Sequence, residues 1–95
     1  MKQFLSDIAD ALVMLGSLET DLSISDFKPN EKKIFYTIIS SQEDAGQPCT
    51  ISDIVNNSGM SRSTVYKTLK KLVSTNIIEL QQSDHDKREF LVKLN

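Results

Sequence analysis

The chain of 95 residues has no tryptophan, one histidine and one cysteine, Cys49. A single cysteine excludes an intramolecular disulfide, and with only one histidine beside it a structural zinc cluster is excluded as well. Its three glycines form no phosphate-cradling loop. No spacing of Ser, His and Asp suggests a catalytic triad, so neither an enzyme nor a cofactor is expected. No apolar run approaches the ~18–20 residues of a membrane span. The N-terminal stretch MKQFLSDIADALVMLG carries Asp7 and Asp10 inside its apolar part. A secretory signal would not, and a cytoplasmic protein is expected. The chain is 39% apolar and 25% charged, a soluble globular balance without a disorder signature. The length suits one domain, 1–95, able to bury roughly 60–70% of its unfolded surface.

The net charge of −2 hides an asymmetry. Residues 1–57 hold four lysines and nine acids, giving −5, whereas residues 58–95 hold seven cations and four acids, giving +3. A basic half attached to an acidic one is a partner signal.

Residues 2–16 read as a helix. Leu5, Ile8, Leu12 and Leu15 are spaced 3-4-3, an a/d seam, and Phe4, Ala9, Ala11, Val13 and Met14 widen the apolar surface beyond one core-facing stripe. Gly16 is the expected stop. Residues 17–27 read as a loop with one turn at most, with Leu18, Leu22, Ile24 and Phe27 placed to lie over a core. A second helix begins near residue 30, with Pro29 in its first turn and Asn30 as a cap, and buries Ile34, Phe35, Ile38 and Ile39. SSQEDAGQP, 40–48, reads as a loop. Thr50-Ile-Ser-Asp53 approximates a capping box for a helix over 51–57, whose apolar side is Ile51, Ile54 and Val55. After Asn56-Asn57-Ser58-Gly59, Ser61 caps a helix over 62–75 that carries Val65, Leu69, Leu72 and Val73. Asn76 suits the left-handed position beyond it. Residues 77–80 read as a strand, 83–87 as a polar turn and 88–94 as an alternating strand. The two strands make a hairpin that closes the chain.

Two short helices joined by a tight glycine-containing turn, then a hairpin, spell a helix-turn-helix with a wing. The fold class expected is mainly α with a small β-hairpin wing: a winged helix-turn-helix over 28–95, preceded by an N-terminal helix and connector, 1–27, for dimerisation. From Ser61 to Thr75 there are four cations and no acid. Arg62 sits at the positive end of its helix, where the macrodipole prefers an anion, and such rule-breaking points to an external anionic or base partner. Ser61, Ser63, Thr64 and Tyr66 add hydrogen-bonding groups for phosphates or bases. The competing reading of this surface is a solvated basic face.

From Asn30 to Leu94 the chain resembles the winged-helix core of the MarR family of bacterial transcriptional regulators. TISDIVNNSGMSRSTVYKTLKKLVSTNII resembles the family's helix-turn-helix, and SDHDKREFLVKLN its acidic-basic wing and closing strand. The resemblance implies a regulator that binds double-stranded DNA, with helix 62–75 in the major groove and wing 83–88 near the minor groove. It implies that Arg62, Ser63, Thr64 and Lys67 face the groove and that Ser61 and Tyr66 touch phosphates. Lys70 is taken as a further phosphate contact. Lys87 or Arg88 would approach the minor groove, with Asp84 or Asp86 bracing the wing, and His85 stands where the family often has arginine. The family continues into C-terminal helices that complete its dimer and part of its ligand pocket. A chain ending at Asn95 is therefore expected to be a short form, its homodimer formed through Leu5, Ile8, Leu12 and Leu15, its effector unspecified. Two other readings stay open: a winged-helix module that docks an acidic protein, and a DNA-binding replication or partition factor.

Two readings of Cys49 are also open. A helix N-terminus beside it would lower its pKa and suit a redox sensor. Otherwise it is a small half-buried residue at a strand-like entry to the helix.

Overall fold

The computed structural model describes every residue from Met1 to Asn95. Its buried side chains come from almost every part of the chain except the first helix. That helix, α1 (Lys2–Asp21), is followed by α2 (Pro29–Ala45), the two-residue strand β1 (Cys49–Thr50), α3 (Ile51–Ser58), α4 (Arg62–Ser74), β2 (Ile78–Gln82) and β3 (Phe90–Leu94). The sheet is antiparallel in the order β1-β3-β2. A mainly helical winged helix-turn-helix behind an N-terminal helix is the class expected from the sequence.

The core fills the space between α2, α3, α4 and the sheet. Ile34, Phe35 and Ile38 enter it from α2, Ile51 and Ile54 from α3, and Val65, Leu69 and Leu72 from α4. Cys49, Ile78 and Val92 close the sheet side, and Ile24 plugs it from the connector. These positions follow the helical spacing of the sequence, with two departures. Ile39 and Val73 lie at the edge of their helical stripes and are exposed.

Local chemistry fixes the helix ends. Thr50 Oγ1 accepts from the Asp53 N–H at 3.1 Å, and the Asp53 carboxylate accepts from the Thr50 N–H at 3.1 Å, so the capping box forms. Gly59 ends α3 at φ 72°, where a Cβ would be strained. Asn76 takes the left-handed position after α4 at φ 62°. The cap of α2 differs from expectation. Asn30 lies inside the helix and Lys28 is the N-cap. Lysine offers no acceptor, so half a box remains: the Glu31 carboxylate accepts from the Lys28 N–H at 2.8 Å.

The element boundaries need four corrections. Helix α1 runs through Gly16 to Asp21, because a lone glycine costs a helix only ~1 kcal/mol and Leu18 continues the apolar face. Helix α2 runs through SSQEDA to Ala45 and stops at Gly46, φ 66°, since those polar residues tolerate a solvated last turn. The segment Cys49–Thr50 is a strand, paired Cys49 to Val92 and Thr50 to Leu91, which adds a third strand to the hairpin. The hairpin strands are displaced to Ile78–Gln82 and Phe90–Leu94, and only Val92 of the alternating set is buried.

Helix α1 has no buried residue. Leu5 and Leu12 are 58% and 63% exposed, and Ile8 and Leu15 are also well exposed. Its last turns lean on α2. There Leu15, Leu18 and Leu22 line a cleft of about 330 Å³ with Phe35 and Ile39. Glu19 holds the end in place: Lys32 Nζ donates to it at 3.1 Å and the Tyr36 hydroxyl also donates to it. These bonds, Tyr36 first, hold the Glu19 carboxyl below its ordinary value. The Tyr36 hydroxyl is pushed up to about 12, by burial first and then by Glu19.

A raised phenol pKa favours the folded state while the phenol is neutral. Its contribution is therefore complete below the ordinary pKa of 10.0 and is lost as pH rises through about 12. Thermal unfolding across that window should show wild type losing stability faster than Tyr36→Phe. Parallel curves would mean that Tyr36 does not anchor α1.

Candidate nucleic-acid interface

Helix α4 has one face in the core and the other in solvent. Val65, Thr68, Leu69 and Leu72 are buried, while Arg62, Ser63, Tyr66, Lys67 and Lys70 are exposed on the opposite side and Thr64 is intermediate. The helix begins at Ser61, whose Oγ accepts from the Thr64 N–H at 3.2 Å and donates to Thr64 Oγ1 at 2.8 Å. The Ser61 hydroxyl therefore acts first as a cap. Arg62, Lys67 and Lys70 form no ion pair. Lys71 has an internal role: its Nζ lies 2.7 Å from Glu31 and 5.3 Å from the centre of the Phe27 ring. That bond joins α4 to α2 and leaves three free cations on the outer surface of α4.

The wing turn is held by its own polar groups. The Ser83 hydroxyl accepts from the N–H of His85 at 3.2 Å and of Asp86 at 3.4 Å. Gln82 Nε2 donates to the Lys87 carbonyl at 2.6 Å. Of the two candidate braces it is Asp86 that pairs with arginine. Arg88 donates to it through its backbone N–H at 3.0 Å and through Nε at 3.2 Å. These bonds, the backbone one first, hold the Asp86 carboxyl below its ordinary value. The Arg88 side chain is 92% exposed, and His85 and Lys87 are exposed beside it.

Sequence reasoning missed what sets the wing against the helices. The Ser52 hydroxyl on α3 donates to both carboxylate oxygens of Glu89, at 3.0 and 3.2 Å. From α2, Gln42 Nε2 donates to the Val92 carbonyl at 2.6 Å. Neither pair has a local signal, since the partners are 37 and 50 residues apart. Cys49 is corrected in two respects. It is buried rather than half-buried, at 4% exposure, and burial pushes its thiol pKa up where the neighbouring helix start had suggested a lowered one. Leu5, Ile8, Leu12 and Leu15 all lie on α1 and take no part in the helix-turn-helix or the wing.

A helix-turn-helix whose exposed helix is basic, flanked by a braced wing on the same sheet, defines a winged-helix DNA-binding fold. Solved structures share it. The crystal structure of MarR matches with a TM-score of 0.62 at 17% identity, over 99% of this chain and 64% of that one. S. aureus MepR in complex with DNA matches at 0.65 and 17%, over 100% of this chain and 72% of that one. Reduced AbfR bound to DNA matches at 0.61 and 19%, over 100% and 72%. The chain thus spans less than two-thirds of the length of MarR. At these identities the likeness is one of fold, and the MarR resemblance read from the sequence holds in that sense. No curated protein matches the sequence as a relative. The chain belongs to the TrmB family, described as sugar-specific transcriptional regulators, whose sequence profile matches residues 22–92. It is a member of a family of regulators rather than of enzymes. No helix is long and apolar enough to cross a membrane.

The Asp86 brace is testable in isolation. Its carboxyl should titrate below 3.8 by carbon NMR, and Arg88→Gln should raise it only part of the way, because the backbone N–H remains. A full return to the ordinary value would assign the brace to the guanidinium alone.

Proposed function

We propose that the protein is a cytoplasmic, homodimeric transcriptional regulator that binds specific double-stranded DNA. The observation that carries this reading is the outer face of α4. Arg62, Lys67 and Lys70 project from it without an acidic partner, in a chain whose total charge is negative. An α-helix fits the major groove with its N-terminal residues against base edges. Arg62, Ser63, Thr64 and Lys67 read bases there, while Ser61, Tyr66 and Lys70 hold the phosphates. The wing brings His85, Lys87 and Arg88 to the neighbouring backbone and minor groove. MepR and AbfR, of the same fold, are found in complexes with DNA, which supports this use of the surface.

A lone helix-turn-helix reads only a few base pairs, and a two-fold dimer doubles the site, with recognition helices about 34–36 Å apart. The 1–95 unit divides its labour accordingly: residues 1–27 pair the protomers and 28–95 hold the reader. Leu5, Ile8 and Leu12 stand exposed on α1, and Leu15 is exposed at the rim of the cleft against α2. Burying each against a second α1 is worth roughly 1.5–3 kcal/mol.

Selection of bound duplexes from a random pool tests the whole reading. A palindromic consensus is expected. No enrichment, with binding to an acidic protein instead, would favour a protein-docking module. On the selected site, Arg62→Ala should lose about 1–3 kcal/mol and relax one base position per half-site. Lys70→Ala should weaken all sequences alike and lower the salt slope by ~1. An unchanged consensus with Arg62→Ala would place base reading elsewhere.

Leu12→Asp should raise the dimer dissociation constant at least about a hundredfold, since the dimer loses two buried leucines. Light scattering should report half the mass and circular dichroism an intact fold. A variant that unfolds outright would return Leu12 to the monomer's own stability.

A further inference from the structure

Beside the recognition face lies a further cation, Lys28, whose place the sequence did not reveal. A polar cleft of about 440 Å³ opens between the start of α2 and the side of α4. Lys28 and Asn30 line it from α2, and Thr64 and Lys67 from α4. Glu31 also lines it, but its carboxylate is engaged by the Lys28 N–H and by Lys71 at 2.7 Å. The two lysines of the cleft form no ion pair, and the Asn30 amide has no hydrogen-bond partner within the chain.

Lys28 is also misplaced for its own helix. It is the N-cap of α2, where serine, threonine, aspartate or asparagine would accept a bond from the first turn. Its charge lies at the positive end of the helix dipole, where a cation is unfavourable. The protein tolerates the same conflict at Arg62, on the neighbouring helix of the interface. Lys67 lines the cleft with Lys28 and is exposed on α4 like Arg62, and an external anion would account for both violations.

We propose that Lys28 and Asn30 grip one backbone phosphate of the duplex, on the far side of the cleft from Lys67, which reads a base. This rests on the DNA-binding reading and extends the interface from α4 and the wing onto α2. The ligand group is a phosphodiester, which holds the protein in register on the duplex and carries no sequence preference.

The test compares wild type, Lys28→Ala, Lys28→Asp and Arg62→Ala on the selected duplex and on random duplex, over a range of salt. Lys28→Ala should lose about three- to tenfold in affinity on both duplexes and lower the logarithmic salt slope by about 0.9, with base preference unchanged. Lys28→Asp should lose more affinity yet raise the melting temperature, because aspartate is a true N-cap. Neutralising backbone phosphates one at a time, as methylphosphonates, should reveal one position whose loss matches Lys28→Ala and does not add to it. Additive losses at every position would overturn the contact, as they would mark a general charge effect. So would an unchanged Lys28→Ala beside a weakened Arg62→Ala, in which case DNA binding itself stands. A wild type without salt-dependent duplex binding would overturn both.

Discussion

The pairing of β1 with β3 is the constraint on which the geometry of the interface depends. It is only two residues long, Cys49 to Val92 and Thr50 to Leu91. Yet Thr50 is a strand residue and the N-cap of α3 at once. The helix-turn-helix therefore starts from the sheet, and the wing is the other edge of that same sheet. Glu89 on Ser52 and Gln42 on the Val92 carbonyl lock the junction from α3 and α2. A hairpin carried on a free tether would approach a duplex in many orientations. Here the wing and α4 are parts of one body, and the loss of ordering entropy on contact is correspondingly small.

The interior and the surface of this body obey different rules. Inside, polar groups are paired: Thr68 donates to the Thr64 carbonyl and Ser58 accepts from the Met60 N–H. On the outer face of α4, cations stand alone. The ion pairs lie elsewhere, with Lys71 on Glu31 and Lys32 on Glu19 tying helices together and Arg88 on Asp86 shaping the wing. Charge has been used internally where it fixes an angle and left free where a duplex would lie.

How legible each part was follows from the range of its causes. The cores of α2, α3 and α4 could be read because their spacing is periodic, and the caps Thr50, Ser61 and Asn76 because capping is a contact over a few residues. The ends of α1 and α2 were misjudged where composition stood in for geometry: Gly16 is passed through, and SSQEDA stays helical. Of strand β1 only a strand-like entry at Cys49 was legible; its pairing was out of reach, since two residues carry no period and their partner lies over 40 residues on. The cations of α4 were visible in the sequence, but the freedom of Lys67 and the engagement of Lys71 were not, because that division depends on where Glu31 falls. Lys28 gave no signal either, as it becomes a cap only once α2 is known to start at Pro29.

The burial of the sole cysteine has a practical side. Cys49 is enclosed by the sheet and α3, and its thiol is held in the protonated, unreactive form at neutral pH. A cysteine introduced on α1, on α4 or at the wing tip would then be the one site open to a maleimide probe. Spin labels or fluorophores could be attached singly to the native background, with no cysteine-free variant to build first. Were the protein the homodimer proposed above, distances between labels on its two copies would report the spacing of their α4 helices in solution.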